Sequence, residues 1–226
     1  MAAPAPAAPP YPLALTLAGR RCVVVGGGAV AERKARGLLA VGAAVTVIAP
    51  RLAPGLRALA DAGALTVAER PYAPGDLAGA VLAFAATDRR EVNAAVAAEA
   101  RASGALVNVA DAPGEGDFTL PAVARRGGLT VAVATAGESP LVASLVRDRL
   151  AECLAGYDAL LDVVAALRAE ARATGRRYPP AVWRAALTPE VVALAAAGRA
   201  DEAAARLRAA LDESGGWAVR QSGRWR

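Results

Sequence analysis

The sequence predicts a doubly wound α/β domain with a parallel sheet, followed by a small α+β segment and a helical domain. Three observations predict it. Short valine-rich runs alternate with helix-like spacing as far as residue 110, turn residues Pro113, Gly114 and Gly116 break that pattern, and only helical periodicity remains beyond Cys153.

The runs at 22–25, 45–49, 65–68, 81–86 and 106–109 are short and almost wholly apolar. Such runs suit strands buried on both faces of a parallel sheet, where no residue has to meet water. Between them, 30–41 places Ala31, Ala35, Leu38 and Leu39 on one helical side, and 93–101 forms a second helix. Past the break, 118–123 and 129–134 read as two further strands around a turn at 125–128. A helix is expected from about Pro140, with Leu141, Leu145 and Leu150 among its apolar positions. The later helices are interrupted at Gly175, Pro179, Pro180, Pro189 and Gly198. The alanine- and proline-rich residues 1–10 and the patternless residues 215–226 are expected to be tails.

The chain of 226 residues is long enough for more than one core, and its 55% hydrophobic and 21% charged residues fit a globular protein. A formal charge of +5 and a pI near 9.9 favour an anionic partner. The arginines are scattered and only 4% of residues are aromatic, so base stacking on nucleic acid is not expected; a small anionic ligand is. With no histidine and two distant cysteines, Cys22 and Cys153, a zinc site built on these ligands is excluded, and two free thiols are expected. No apolar run has membrane-spanning length, and residues 1–10 lack the charged start and apolar stretch of a signal peptide. A cytoplasmic protein without a membrane partner is the expectation.

Gly26-Gly27-Gly28-Ala29-Val30-Ala31 follows the first strand and opens the first helix, matching G-x-G-x-x-G/A. Gly26 makes the tight turn, Gly28 admits a pyrophosphate to the backbone, and small Ala31 lets helix pack on strand. The pyrophosphate would rest on the amides at the helix start. This is the fingerprint of a Rossmann domain. The acidic residue that usually ends the second strand and binds ribose is replaced by Ala49-Pro50-Arg51. Arg51 suits a 2′-phosphate or simply solvent, so the residues alone leave NAD and NADP open.

Without histidine, proton transfer falls to carboxylates, tyrosine, cysteine or the single lysine, Lys34. Asp111 lies just beyond the carboxyl end of a central strand, the edge that faces the ligand crevice in open α/β sheets, although a turn-capping aspartate would sit there equally well. Thr87 and Asp88 end the preceding strand, near the expected nicotinamide ribose, and Asp88 could equally cap a helix. In 134–140, small residues around Thr135 and Gly137 permit close approach, while Ser139-Pro140 reads as a helix cap and first helical position.

Four motifs occur in order: Gly-Gly-Gly-Ala-Val-Ala-Glu-Arg-Lys at 26–34, Ala-Ala-Thr-Asp at 85–88, Asn-Val-Ala-Asp-Ala-Pro at 108–113 and Gly-Glu-Ser-Pro at 137–140. Together they closely resemble the precorrin-2 dehydrogenase and sirohydrochlorin ferrochelatase family, the siroheme synthase N-terminal-like proteins. The resemblance covers about residues 11–152. It implies NAD-dependent oxidation of precorrin-2 to sirohydrochlorin, which some relatives follow with Fe²⁺ insertion to give siroheme. It also implies a Rossmann domain over 11–116, a dimerisation segment over 117–152, a helical domain over 153–214 and an intertwined homodimer. Contacts at Ala29, Val30, Pro50 and Arg51 would hold NAD, since the family often carries Ala-Pro after the second strand. The family's aspartate, which serves dehydrogenation and chelation, matches Asp111; no other metal contact is fixed, and Lys34 is given no catalytic role. Arg125, Arg126 and Arg147 are candidate partners for the carboxylates of the macrocycle. Thr135 stands where the family often has serine, which keeps a hydroxyl. The competing readings are a dehydrogenase of another tetrapyrrole intermediate and an NAD(H)-sensing regulatory module.

Overall fold

The computed structural model describes residues 10–214 and 217–218. The expected tails at 1–10 and 215–226 lie outside these residues, apart from Pro10 and the pair Trp217–Ala218. The chain divides into two compact units between Leu120 and Pro121.

The first unit holds five parallel strands: β1 (Arg21–Val25), β2 (Ala44–Ile48), β3 (Thr66–Ala68), β4 (Leu82–Ala85) and β5 (Leu106–Val109). Their order is β3-β2-β1-β4-β5. Chain direction across the sheet reverses between β1 and β4, which creates a ligand crevice at the carboxyl ends of those two strands. Val25 and Ala85 are paired there.

The helices are α1 (Ala29–Leu39), α2 (Pro54–Asp61) and α3 (Arg90–Ser103). Alternation along each strand splits the core into two layers. Cys22, Val24, Val47 and Phe84 face Ala31, Ala35 and Leu38 of α1. On the other face Val23, Val25, Ala83, Ala85, Val107 and Val109 meet Val96, Ala97 and Ala100 of α3. This double burial explains why the strands read as unbroken apolar runs. Helix α2, which the sequence reading does not single out, begins with Pro54 at its first turn and buries Leu56.

The second unit begins with an antiparallel hairpin, β6 (Ala122–Arg126) and β7 (Leu129–Val133), closed by Gly127 and Gly128. Gly127 has a φ of +51°, as a tight two-residue hairpin turn demands. The first of these strands lies downstream of the expected 118–123. The reason is that residues 116–118 serve β5 instead. Val107 N–H donates to Asp117 Oδ2 at 2.9 Å, Asp117 N–H donates to Val107 O at 2.8 Å, and the Phe118 ring meets Phe84 edge-on at 5.5 Å. Pro121 then has no N–H to give a ladder.

Helix α4 (Pro140–Cys153) packs on the hairpin, and four further helices follow: α5 (Tyr157–Ala173), α6 (Pro180–Ala186), α7 (Pro189–Ala196) and α8 (Ala200–Glu213). The breaks between them fall at the expected Gly175, Pro179–Pro180, Pro189 and Gly198, whereas the start of α5 after Gly156 was not among the expected interruptions. Leu160, Val163 and Leu167 of α5 build a core with Val191, Ala195, Leu207 and Leu211. A two-residue pairing of β8 (Arg176–Arg177) with β9 (Trp217–Ala218) was not foreseen. Helix α4, 14 residues long, buries only Ala143, while Leu141, Leu145 and Leu150 are exposed. Cys22 is buried, Cys153 is exposed, and both are free. Among the described residues no helix is long and apolar enough to cross a membrane.

Candidate active site

The fingerprint residues sit at the end of β1, and each glycine has its own reason. Gly26 has a φ of +130°, and a Cβ there would lie 2.2 Å from the carbonyl oxygen of Ala86. Only glycine fits this crossing of two strand ends. Gly27 is equally constrained, since a Cβ would lie 1.9 Å from the carbonyl oxygen of Arg51, and its own oxygen accepts from Ala53 N–H at 2.7 Å. The sequence reading gives Gly27 no role; the structure makes it the seat of the β2–α2 loop. A Cβ at Gly28 would meet nothing within 4 Å, so open space faces its backbone.

Gly28 is also the N-cap of α1, and among the described residues no side chain caps that helix start. The amides of the first turn, at Ala29, Val30 and Ala31, are therefore free of a side-chain acceptor, while the helix dipole favours negative charge there. Ala31 is fully buried against the sheet, as the small third position requires. Glu32, the one acidic residue of that turn, is drawn to Arg36 at 2.7 Å. Pro50 and Arg51 follow β2 and are both exposed. A glycine crossing, an open Gly28 and an uncapped helix start fit a dinucleotide pyrophosphate.

Beside this cradle, Asp111 follows β5 with its side chain exposed. Its Oδ1 accepts from Asn93 Nδ2 at 2.9 Å. Asn93 is fully buried in the first turn of α3. The same Nδ2 donates to Thr87 O at 3.1 Å, and Asn93 Oδ1 accepts from Thr87 N–H at 3.1 Å and from Thr87 Oγ1 at 2.7 Å. Thr87 and Asp111, nominated separately, are thus joined through one amide. Asn93 was passed over in sequence, yet it left a signal. It occupies the polar corner of the otherwise apolar face Asn93, Val96, Ala97 and Ala100. Asp88 is exposed and caps nothing; the N-cap of α3 is Arg89, whose N–H donates to Thr87 Oγ1 at 3.2 Å. Arg90 pairs with Glu115, and that bond, helped by the nearby Asp111 charge, raises the guanidinium pKa.

Lys34 also has a place. Its Nζ donates to Asn108 Oδ1 at 3.0 Å and lies 5.7 Å from the centre of the Phe84 ring. Burial, then the Arg33 charge, pushes its pKa down. Asn108 in turn donates to Phe118 O at 3.0 Å, so Lys34 braces the segment that carries Asp111.

In the second unit, Thr135 to Ser139 form a closed loop. Glu138 N–H donates to Thr135 O at 2.9 Å, with Ala136 and Gly137 both at positive φ, +51° and +88°. Ser139 N–H donates to Thr135 Oγ1 at 3.2 Å, and Ser139 Oγ accepts from Val142 N–H at 3.2 Å as the N-cap of α4. Both hydroxyls are engaged with the loop's own backbone. Of the three arginines, Arg126 pairs with Asp158 at 3.1 Å and Arg147 with Asp148 at 2.6 Å. Arg125 is exposed and has no carboxylate in ion-pair range among the described residues.

Residues 13–122 match a family model described as "Putative NAD(P)-binding". The chain is 43% identical over 203 residues to a siroheme synthase of Chromobacterium violaceum, covering 87% of this chain and 42% of that protein. It is 38% identical over 204 residues to a siroheme synthase of Nitrosococcus oceani, covering 89% and 44%. A solved structure, "SirC, precorrin-2 dehydrogenase", matches with a TM-score of 0.63 at 25% identity, covering 90% of this chain and 98% of that one. Over most of its own length the chain is thus a relative of these siroheme synthases and of SirC. It spans less than half the length of the curated siroheme synthases it matches, and nearly all of SirC. In this chain the cradle at Gly26 and the carboxylate at Asp111 lie on one sheet edge, two strand ends apart.

Proposed function

We propose that this chain oxidises precorrin-2 to sirohydrochlorin with NAD as the acceptor, in siroheme biosynthesis. The observation that carries this reading is Asp111, a carboxylate held at the carboxyl edge of the sheet beside the dinucleotide cradle. Its support is the similarity to siroheme synthases, together with the name of the matching SirC structure. Gly26, Gly28 and the amides of Ala29, Val30 and Ala31 would hold the pyrophosphate; Pro50 and Arg51 would lie against the adenosine ribose, Thr87 and Asp88 near the other. NAD supplies a two-electron acceptor that takes a hydride when bound. The chain's own residues supply the rest. With hydride acceptance supplied by bound NAD, the Asp111 carboxylate would take the second hydrogen of the macrocycle as a proton, and the electron pair left behind would form the new double bond. One base suffices, which is why a protein without histidine can do this. Arg125, with Arg126 and Arg147, is proposed to meet substrate carboxylates, and Thr135, Gly137 and Ser139 to shape their approach.

The experiment is to supply precorrin-2 with NAD or NADP and follow nicotinamide reduction and the product spectrum. NADH formation supports the reading, and its absence sinks it. Asp111→Ala separates an enzyme from a sensor. The expected result is a loss of turnover of about 10²–10⁴-fold, the range of general base catalysis, with NAD still bound. Unchanged behaviour favours the NAD(H)-sensing alternative.

We also propose a homodimer through the segment 117–152. Leu141 is 80% exposed and Leu145 61% exposed on α4, next to half-exposed Val142. An apolar helix face of this kind is costly in water and gains by meeting its own copy.

A further inference from the structure

We infer that Asn93 is the positioning residue for the base: its buried amide fixes where the Asp111 carboxylate stands relative to Thr87 at the neighbouring strand end. The inference rests on Asp111 being the base. An asparagine amide offers two protons and two lone pairs, and here all four are used. Its oxygen faces two donors, the N–H and the hydroxyl of Thr87, so the amide has one orientation. That orientation fixes the direction of both Nδ2 protons. One goes to Thr87 O, within the turn that leaves β4, and the other goes to Asp111 Oδ1.

Three of the four bonds hold a turn, which any structural asparagine does. The fourth differs. It ends on an exposed side chain rather than on buried backbone, 18 residues away in sequence. Because Oδ1 is taken by Asn93, and Oδ2 accepts nothing among the described residues, the carboxylate presents one defined oxygen outward. Thr87 and Asp111 therefore move as one body, and Asn93 is buried too deeply to touch substrate itself. Placement within about 1 Å matters to a proton transfer, where a displacement of that size costs on the order of 100-fold.

The test is a double-mutant cycle between positions 93 and 111, read by turnover, by NAD titration and by melting temperature. Asn93→Ala leaves the Thr87 groups without partners and risks unfolding, so Asn93→Asp is the main variant. It keeps the acceptor for the Thr87 N–H and hydroxyl and removes both Nδ2 protons, the one given to Thr87 O and the one given to Asp111; the melting temperature reads the first loss and the cycle with Asp111 the second. The expected result is a kcat lower by about 10–100-fold, with NAD affinity within about threefold of the parent. In an Asp111→Ala background, the same change should have almost no further effect on turnover. The exchange Asn93→Asp with Asp111→Asn should regain melting temperature, since one amide again faces one carboxylate, but not activity. A loss of kcat of equal size in both backgrounds, or a loss of NAD affinity in step with it, overturns the positioning role while leaving the oxidation reading intact. An inactive parent protein sinks the oxidation reading, and this inference with it.

Discussion

The two units of this chain solve burial differently. In the first, the strands inside the edge strand β3 are packed on both faces, and Val23, Val24, Val47, Ala83 and Val107 have no exposed surface. In the second, the hairpin is at best half-buried and α4 turns its leucines outward, with Ala143 alone buried. The helices after α4 regain a core of their own around Leu207. The weak stretch is therefore local, the hairpin and α4. A unit closed on both faces can hold a carboxylate and a glycine crossing rigidly, whereas an uncovered helix is unfinished as a single copy. Tight packing falls where atoms must be placed, and the uncovered apolar surface falls on the segment proposed to dimerise.

The sharpest way to break this contrast is to attack the rigid unit at its tightest point. Gly26→Ala forces a Cβ to 2.2 Å from Ala86 O at a φ of +130°. Loss of detectable NAD binding is expected in a fluorescence titration, together with about 1–3 kcal/mol of destabilisation from backbone strain, more if the strands must part. Gly28→Ala is the matched control, since its Cβ meets no protein atom: stability should hold while NAD affinity falls. If both variants bind NAD normally, the cradle is not where the cofactor sits.

A smaller effect is expected from the open unit. Leu141→Glu with Leu145→Glu removes apolar area that is already exposed, so the single chain should melt within about 1 kcal/mol of the parent. Sedimentation should instead show the dimer falling apart, with a dissociation constant raised at least about tenfold for each lost leucine contact of 1.5 kcal/mol or more. A parent protein that is monomeric at every concentration would refute the dimer.

Most of the rigid unit was legible in sequence, and the open unit less so, for one physical reason. Apolar runs report burial by the chain's own core, and in β1 and β4 burial and hydrophobicity coincide. In α4 they part company: Leu141 and Leu145 signal a buried face, but nothing among the described residues buries it. Within the site, Gly26 and Asp111 were visible because their roles are local, at the end of a strand. Asn93 and Gly27 were not, because each acts on a residue brought near only by folding, Asp111 in one case and Arg51 in the other. The displaced β6 has the same cause. Phe118 is apolar enough for a strand, yet Phe84, 34 residues earlier, claims its ring.

The smallest expected difference between the units is their response to acid. In the first, the side-chain bond from Arg70 holds the Asp76 carboxyl below its ordinary 3.8, helped by Ala73 N–H. Arg70 reaches it at 2.5 Å, and Arg21 donates to Asp76 O at 3.1 Å, so this pair ties the loop before β4 to β1. A carboxyl whose folded pKa is depressed contributes stability above its unfolded pKa and loses it as pH falls through the folded value. The loop should therefore loosen below about pH 4, by about 1 kcal/mol, since Arg70 is half exposed. In the second unit, Glu170 and Glu202 are held low by bonds from Arg208 and Arg199, but these pairs are exposed on both sides; the first joins the surfaces of α5 and α8, and the second lies within the start of α8. Hydrogen exchange between pH 5 and pH 3 should show protection falling first at residues 70–77. Asp76→Asn should abolish that pH dependence while lowering protection at pH 7. Equal acid loosening of both units would mean that the exposed pairs matter as much as the loop latch, and that the first unit's rigidity owes less to Asp76 than its geometry suggests.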